Sequence, residues 1–244
     1  MSGAAEANLD PRLPVNVDSM RCIMDTMRKV KPGVRVIFPS SLAVFGQNSE
    51  EAFIDDSTMP VPQSSYRAQK FMIETLLNDF SRRGLLDGRI VRLPTIIVRL
   101  GKPTGAASSF CSGVIREPLN GERSALPVPR HLKPWVCSTR TIIKNLLIAG
   151  NIPEPAYGSG SRTLNLSGIT VTVQEMLNAL EIVGGKSALS LVEEIPDETV
   201  AMIVGSWLAR FDVSRARALG FQDDGLLLQT VEQSIEDVMS LPKT

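Results

Sequence analysis

The hydrophobic residues of this chain follow two different spacings, and each spacing predicts a different element. Over residues 14–29 they recur every three or four positions, as in an amphipathic helix, and Lys31-Pro32-Gly33 ends that pattern. A short apolar run of Val34, Val36, Ile37 and Phe38 predicts a buried parallel strand. We expect this strand to deliver Ser40 and Ser41 into a loop, at the edge of the sheet where open α/β folds bind ligands.

The same alternation of spacings continues along the rest of the chain. Polar residues 47–63 predict a loop, residues 65–83 a helix, and residues 88–94 a strand that Pro94 ends. Later patterns predict helices within residues 101–122, 171–185 and 226–239, and a strand within residues 162–168. We therefore expect an α/β fold with a doubly wound parallel sheet. Residues 1–100 would carry part of the sheet domain. Residues 101–244 would form mainly a substrate lobe, smaller than a complete sheet domain, with some segments returning to the sheet.

Three side chains with complementary chemistry are expected to meet beside the first strand. Tyr66 and Lys70 are four positions apart at the start of a predicted helix, so they project from one face. Lowering a phenol pKa from about 10 to about 7 requires roughly 4 kcal/mol, and one ammonium about 4 Å away supplies this at an effective dielectric constant near 20. The pattern predicts that Tyr66 is a general base, that Lys70 lowers its pKa, and that Ser41, or Ser40, holds the substrate oxygen.

Composition narrows the classes of function. The chain has 244 residues, 43% of them hydrophobic, and a formal net charge of zero with both signs mixed along it, so neither nucleic acid nor an anionic membrane is indicated as a partner. The first ten residues have neither a basic start nor an apolar middle, and we expect a cytoplasmic protein. Three cysteines without a CxxC pair and a single histidine, His131, argue against a metal site.

The motif SSxAVFG, followed by YxxxK on a helix 25 residues after Ser41, resembles the extended short-chain dehydrogenase/reductase family, also called NAD-dependent epimerase/dehydratases. This resemblance implies a Rossmann-like fold and a small-molecule substrate. It also implies NAD as cofactor, with NADP as an alternative. The nicotinamide contacts that it implies are Ser40, Tyr66, Lys70, Pro94, Thr95 and Ile97. A homodimer is a further expectation that the sequence leaves open.

Residues 92–99, 101–122 and 135–141 look closest to the D-erythronate dehydrogenase branch of this family, whose members oxidise four-carbon sugar acids. That resemblance places Ser41, Ser108, Ser109 and Arg140 near the substrate. A guanidinium suits a carboxylate because it can bind both oxygens at once. A salt bridge within the lobe is an equally good interpretation of Arg140.

A Rossmann fold also needs a glycine-rich turn after its first strand to hold the pyrophosphate, and the sequence contains no such turn in that context. The resemblance implies that Met1 begins inside the domain, and we expect the chain alone to bind NAD weakly. Three hypotheses follow: an NAD-dependent sugar-acid dehydrogenase lacking its first part, a nucleotide-sugar epimerase/dehydratase, or an inactive relic or binding protein. We favour the first, because arginine-rich diphosphate contacts are not evident and Arg67-Ala68-Gln69 differs from the small residues usual between Tyr and Lys in the epimerase branch.

Overall fold

Helices and strands alternate along the part of the chain that the computed structural model describes, residues 12–46, 53–99, 101, 106–158, 160–207 and 210–239. The helices are α1 (Ser19–Val30), α2 (Ser65–Arg82), α3 (Ser109–Leu119), α4 (Thr139–Asn151), α5 (Glu154–Tyr157), α6 (Val173–Leu189), α7 (Glu198–Gly205), α8 (Ser214–Ala218) and α9 (Leu227–Met239). The strands are β1 (Arg35–Ser41), β2 (Asp87–Leu93), β3 (Thr95–Ile97), β4 (Ser124–Leu126), β5 (Trp135–Ser138), β6 (Thr163–Asn165), β7 (Ile169–Thr170) and β8 (Val192–Glu194).

The central sheet is parallel and has the order β1-β2-β6. The register pairs Ser40 with Arg92 and Ser41 with Leu93. The two serines are therefore the last residues of β1 and do not lie in the loop that we predicted. The reason is that the apolar run which identified the strand ends before its hydrogen-bonded ladder does. Strand β6, Thr163–Asn165, comes from the second half of the chain.

Helices cover both faces of this sheet, because adjacent residues of β2 point to opposite sides. Ile90 packs with Ile73 and Leu77 of α2, whereas Val91 packs with Ile142 and other residues around α4. All five side chains are almost fully buried. Each such burial contributes about 1.5–3 kcal/mol relative to exposure, and these layers fix α2 against the end of β1.

Helix α2 begins where the sequence predicts it. The Ser64 hydroxyl accepts a hydrogen bond from the backbone N–H of Arg67 at 3.4 Å and caps the first turn. The second turn of α2 contacts the segment before α1, where the Asn16 amide donates to the Gln69 side chain at 2.7 Å. The start of α2, which carries Tyr66 and Lys70, is thus held by a cap and by a side-chain bridge.

Two smaller sheets complete the fold. In one, β3 pairs in parallel with β5, which pairs antiparallel with β7; in the other, β4 pairs in parallel with β8. Pro94 separates β2 from β3, as predicted for the end of β2. Directly after β3, Val98 has a positive φ of 49°, which is rare for a β-branched residue. None of the described helices is long and apolar enough to cross a membrane.

Candidate active site

A cavity of about 580 Å³ opens at the carboxyl ends of β1 and β2. The ends of these strands, the start of α2 and the segment after β3 contribute to its walls, together with residues in and after α7. Seven of the residues predicted for the site line it: Ser40, Ser41, Tyr66, Lys70, Pro94, Thr95 and Ser108. The structure therefore brings the predicted serine, tyrosine and lysine side chains to one cavity, from β1 and from two successive turns of α2.

Lys70 is held against the end of β1. Its Nζ donates a 2.8 Å hydrogen bond to the carbonyl oxygen of Pro39 and lies 4.6 Å from the centre of the Phe38 ring. The same nitrogen is 5.9 Å from the centre of the Tyr66 ring. Burial lowers the pKa of Lys70, and the nearby Glu74 carboxylate acts in the opposite direction.

Tyr66 is half-buried, and burial raises its pKa above the ordinary value. This direction is opposite to the one predicted from the pairing with Lys70. The physical reason is that loss of hydration disfavours the phenolate, while the lysine charge is directed toward the Pro39 carbonyl. A phenolate at this position therefore needs additional positive charge beside it.

The two serines at the end of β1 have different surroundings. The Ser41 hydroxyl is half-buried and accepts a 3.1 Å hydrogen bond from the backbone N–H of Ala43. Ser40 is 3% exposed, and its hydroxyl has no hydrogen-bond partner among the described residues. A buried hydroxyl without a partner is costly unless a ligand satisfies it. Ser41 remains able to donate its proton to a substrate oxygen.

Glu74 lies one turn of α2 beyond Lys70 and forms a buried ion pair that the sequence analysis missed. Arg92 of β2 donates three hydrogen bonds to its two carboxylate oxygens, the shortest at 2.7 Å. The guanidinium of Arg92 also lies 4.7 Å from the centre of the Phe45 ring, which lines the cavity. The four-residue spacing from Lys70 was a signal for Glu74, but nothing local in the sequence pairs it with Arg92.

Every charged residue among those that line the cavity is a cation: Arg67, Lys70 and Arg99. Arg67 is 4% exposed and donates a 3.2 Å hydrogen bond to the Ser206 hydroxyl. Arg67 and Arg99 were not predicted as site residues. Because no aspartate or glutamate is among these lining residues, the cavity favours an anionic ligand.

Three predicted contacts lie elsewhere. Arg140, at the start of α4, pairs with Asp237 at 2.7 Å and Glu236 at 3.0 Å on α9, so its guanidinium is engaged within the lobe rather than with the cavity. Ile97 is 1% exposed and belongs to a hydrophobic cluster that it shares with residues of α3 and α6. Ser109 is the first residue of α3 and is not among the lining residues, although Ser108 before it is.

The cavity fits one end of a nicotinamide cofactor. The phenol of Tyr66, the ammonium of Lys70 and the buried hydroxyl of Ser40, which has no hydrogen-bond partner in the described part of the chain, are the polar groups available to it. Pro94 and Thr95 also line this cavity. Among the described residues, no glycine-rich turn joins a strand to a helix in the way that cradles a pyrophosphate. In that same part of the chain, no group of three histidine, cysteine, aspartate or glutamate side chains is placed to hold a metal ion.

Comparison with known proteins agrees with this geometry. Residues 3–136 match the NAD-dependent epimerase/dehydratase family. D-erythronate dehydrogenase of Haemophilus influenzae is 43% identical over 236 residues, which cover 97% of this chain and 74% of that protein. The enzyme of the same name from Cupriavidus necator is 41% identical over 237 residues, which cover 97% of this chain and 72% of that protein. The solved structure of a nucleoside-diphosphate-sugar epimerase from Agrobacterium tumefaciens superposes with a TM-score of 0.90 at 37% identity, covering 98% of this chain and 70% of that one. This structural similarity confirms the predicted α/β, Rossmann-like fold.

Proposed function

Because this chain belongs to the NAD-dependent epimerase/dehydratase family, we propose that it oxidises a secondary alcohol of a small sugar acid. The family and the dehydrogenases related to the chain make it a nicotinamide-dependent oxidoreductase, as the sequence analysis expected. The substrate, the preference for NAD and the roles of individual residues are our proposal. The observation that carries it is the meeting of Ser41, Tyr66 and Lys70 in one cavity whose charged lining residues are all cations.

The proposed chemistry separates a proton from a hydride. Tyr66, as phenolate, accepts the proton of the substrate hydroxyl, while the Ser41 hydroxyl donates a hydrogen bond to the substrate oxygen and holds it in place. Bound NAD supplies the hydride acceptor and a positively charged ring. Lys70 adds a second positive charge, which opposes the rise in the Tyr66 pKa that burial causes. Loss of the proton from the hydroxyl oxygen and of the hydride from its carbon converts the alcohol into a carbonyl group.

A sugar acid is favoured over a neutral sugar by two observations. The cavity presents Arg67, Lys70 and Arg99 without an acidic residue among those that line it. The relatives with the name D-erythronate dehydrogenase align over 97% of the chain at 41% and 43% identity. A four-carbon acid such as D-erythronate is small enough for a cavity of about 580 Å³.

A nucleotide-sugar epimerase is the second candidate, and the similarity to the Agrobacterium epimerase structure favours it. The two candidates differ in what leaves the site. A dehydrogenase accumulates reduced cofactor in proportion to the acid consumed, whereas an epimerase interconverts stereoisomers without net reduction.

The experiment incubates the purified chain with either D-erythronate or a UDP-sugar, and follows the absorbance of reduced nicotinamide and the products. NAD is supplied in large excess, because the sequence predicts that the chain alone binds it weakly. We expect reduced cofactor to accumulate with the acid alone. Tyr66→Phe is the matched control, because the ring stays and only the proton-accepting oxygen is lost; we expect its turnover to fall by at least about 100-fold with unchanged thermal unfolding. Stereoisomers of the UDP-sugar without reduced cofactor would favour the epimerase, and wild-type turnover by Tyr66→Phe would contradict the mechanism.

A further inference from the structure

Arg99 is one of the two arginines that line the cavity. Its guanidinium makes no hydrogen bond or ion pair with any residue in the described ranges, whereas Arg67 donates to Ser206 and Lys70 donates to Pro39. Arg140, the arginine that the sequence predicted for the substrate, is bound by two carboxylates of α9. Arg99 is a half-buried residue that lines the cavity, so its guanidinium is available to a ligand.

The backbone of Arg99 is held firmly although its side chain is not. Arg116 of α3 donates a 2.6 Å hydrogen bond to the carbonyl oxygen of Arg99, and the backbone N–H of Arg99 donates to the Ser112 hydroxyl at 3.4 Å. Both partners are buried, at 8% and 0% exposure. These bonds tie the residue to α3, so the guanidinium extends from a backbone that is held in place.

The residue before Arg99 is strained. Val98 has φ 49°, in the left-handed region that a β-branched side chain rarely adopts. Such strain persists only where surrounding contacts enforce it, and it concentrates at binding and active sites. Val98 lies between β3 and Arg99, and the hydrogen bonds between Arg99 and α3 hold the residue that follows it.

We infer that Arg99 binds the carboxylate of the substrate and thereby makes the site specific for an acid. The inference rests on the proposed function and adds to it the residue that sets substrate class. A guanidinium and a carboxylate match as a two-pronged pair, and the Ser108 and Thr95 side chains in the same cavity can accept or donate to the neighbouring hydroxyls. A neutral substrate would leave the Arg99 cation without a partner in a partly dry cavity.

The test compares Arg99→Gln and Arg99→Lys with wild type on two substrates, D-erythronate and its neutral analogue erythritol, with NAD fixed in excess. We expect Arg99→Gln to raise KM for the acid by about 30-fold with little change in kcat, and to leave turnover of the neutral analogue unaltered. Arg99→Lys keeps the positive charge but cannot donate two parallel hydrogen bonds to a carboxylate, so it should recover part of the affinity for the acid. Calorimetric titration of D-erythronate into wild type and Arg99→Gln compares the affinities for the acid without requiring turnover.

Two further arginine variants serve as controls. Arg123→Gln removes a cation whose side chain is 77% exposed and paired with Glu193, and it should match wild type. Arg140→Gln tests the position that the sequence suggested, and it should change stability more than KM for the acid. Thermal unfolding of each variant reports whether the fold is kept.

The outcomes separate this inference from the proposed function. Wild-type turnover of the acid with an unchanged KM in Arg99→Gln overturns the inference alone, as does a rise in KM for NAD instead of for the acid, which would assign Arg99 to the cofactor. A rise in KM for the acid in Arg140→Gln alone would overturn the inference for Arg99 and assign binding of the substrate carboxylate to Arg140, as the sequence suggested. Failure of the wild-type chain to bind or oxidise any sugar acid overturns both proposals.

Discussion

Glu74 and Arg92 form an ion pair, 2.7 Å between Oε2 and Nη2, in which the two side chains are only 1% and 4% exposed. The pair joins α2 to β2, one helical turn after Lys70. Its burial means that each charge depends on the other for compensation, since neither reaches water. The same pair also holds a negative charge near the lysine of the proposed catalytic group.

Removal of one partner of this pair should destabilise the protein strongly. In Glu74→Gln the shape is kept but the buried Arg92 cation loses its hydrogen-bonded carboxylate, so we expect a loss of about 3–5 kcal/mol in the free energy of unfolding. Urea denaturation measures it. The control on the same helix is Asp79→Asn, where the paired Arg82 and Asp79 side chains are 72% and 41% exposed, and where we expect less than about 1 kcal/mol. An equal loss in the free energy of unfolding for Glu74→Gln and Asp79→Asn would contradict the argument that burial makes the Glu74–Arg92 pair costly to break.

Lys70→Ala should alter the pH dependence of oxidation. Burial raises the pKa of Tyr66, and loss of the neighbouring ammonium removes a charge that favours the phenolate. Because the base must be deprotonated, the rise of the oxidation rate with pH should move to higher pH, and the rate at neutral pH should fall by about 100-fold. Lys144→Ala, on the exposed side of α4, is the control. An unshifted profile in Lys70→Ala would exclude its effect on Tyr66.

The two serines at the end of β1 should respond differently to substitution by alanine. Ser41→Ala removes one hydrogen bond to the reacting oxygen, and we expect kcat/KM to fall by about 10-fold. Ser40→Ala removes a buried hydroxyl that has no partner among the described residues, so stability should stay equal or increase. Thermal unfolding and kinetics of both variants provide the comparison. A marked loss of stability in Ser40→Ala would mean that its hydroxyl has a structural partner.

Asp87 should contribute to stability in a pH-dependent way. Burial raises its pKa, but hydrogen bonds from Arg89 and Arg35 outweigh this and hold the pKa below the ordinary value. The folded-state pKa is therefore lower than the unfolded one, so the stabilisation is complete above about pH 4 and is lost as the pH falls further. Asp87→Asn should lower the urea midpoint at neutral pH and differ less from wild type at about pH 3. The same difference at both pH values would contradict the assignment.

Local patterns were sufficient for the elements that carry the proposed catalytic residues. Residues 65–83 were predicted as a helix, and α2 spans Ser65–Arg82. The spacing of Tyr66 and Lys70 places both side chains on one face of any helix, whatever it packs against. The strand before them was recognised by its apolar run, and the doubly wound arrangement follows from alternation of strands and helices.

Contacts between distant residues had to be read from the tertiary structure. Arg140 meets Asp237 across 97 positions, and Arg92 meets Glu74 across 18, so no local spacing distinguishes a structural arginine from one that faces a cavity. The burial of Tyr66, which reverses the expected direction of its pKa shift, likewise depends on what packs around it.

The sequence by itself therefore determined the class of fold, the family and the identity of the residues proposed for proton transfer, because periodicity and short motifs are local properties. The tertiary structure alone decided that Arg99 rather than Arg140 faces the cavity and that Glu74 is bound to Arg92 behind Lys70. The physical reason is that charge pairing depends on distance in space and on exclusion of water, and both are set by packing of segments far apart along the chain.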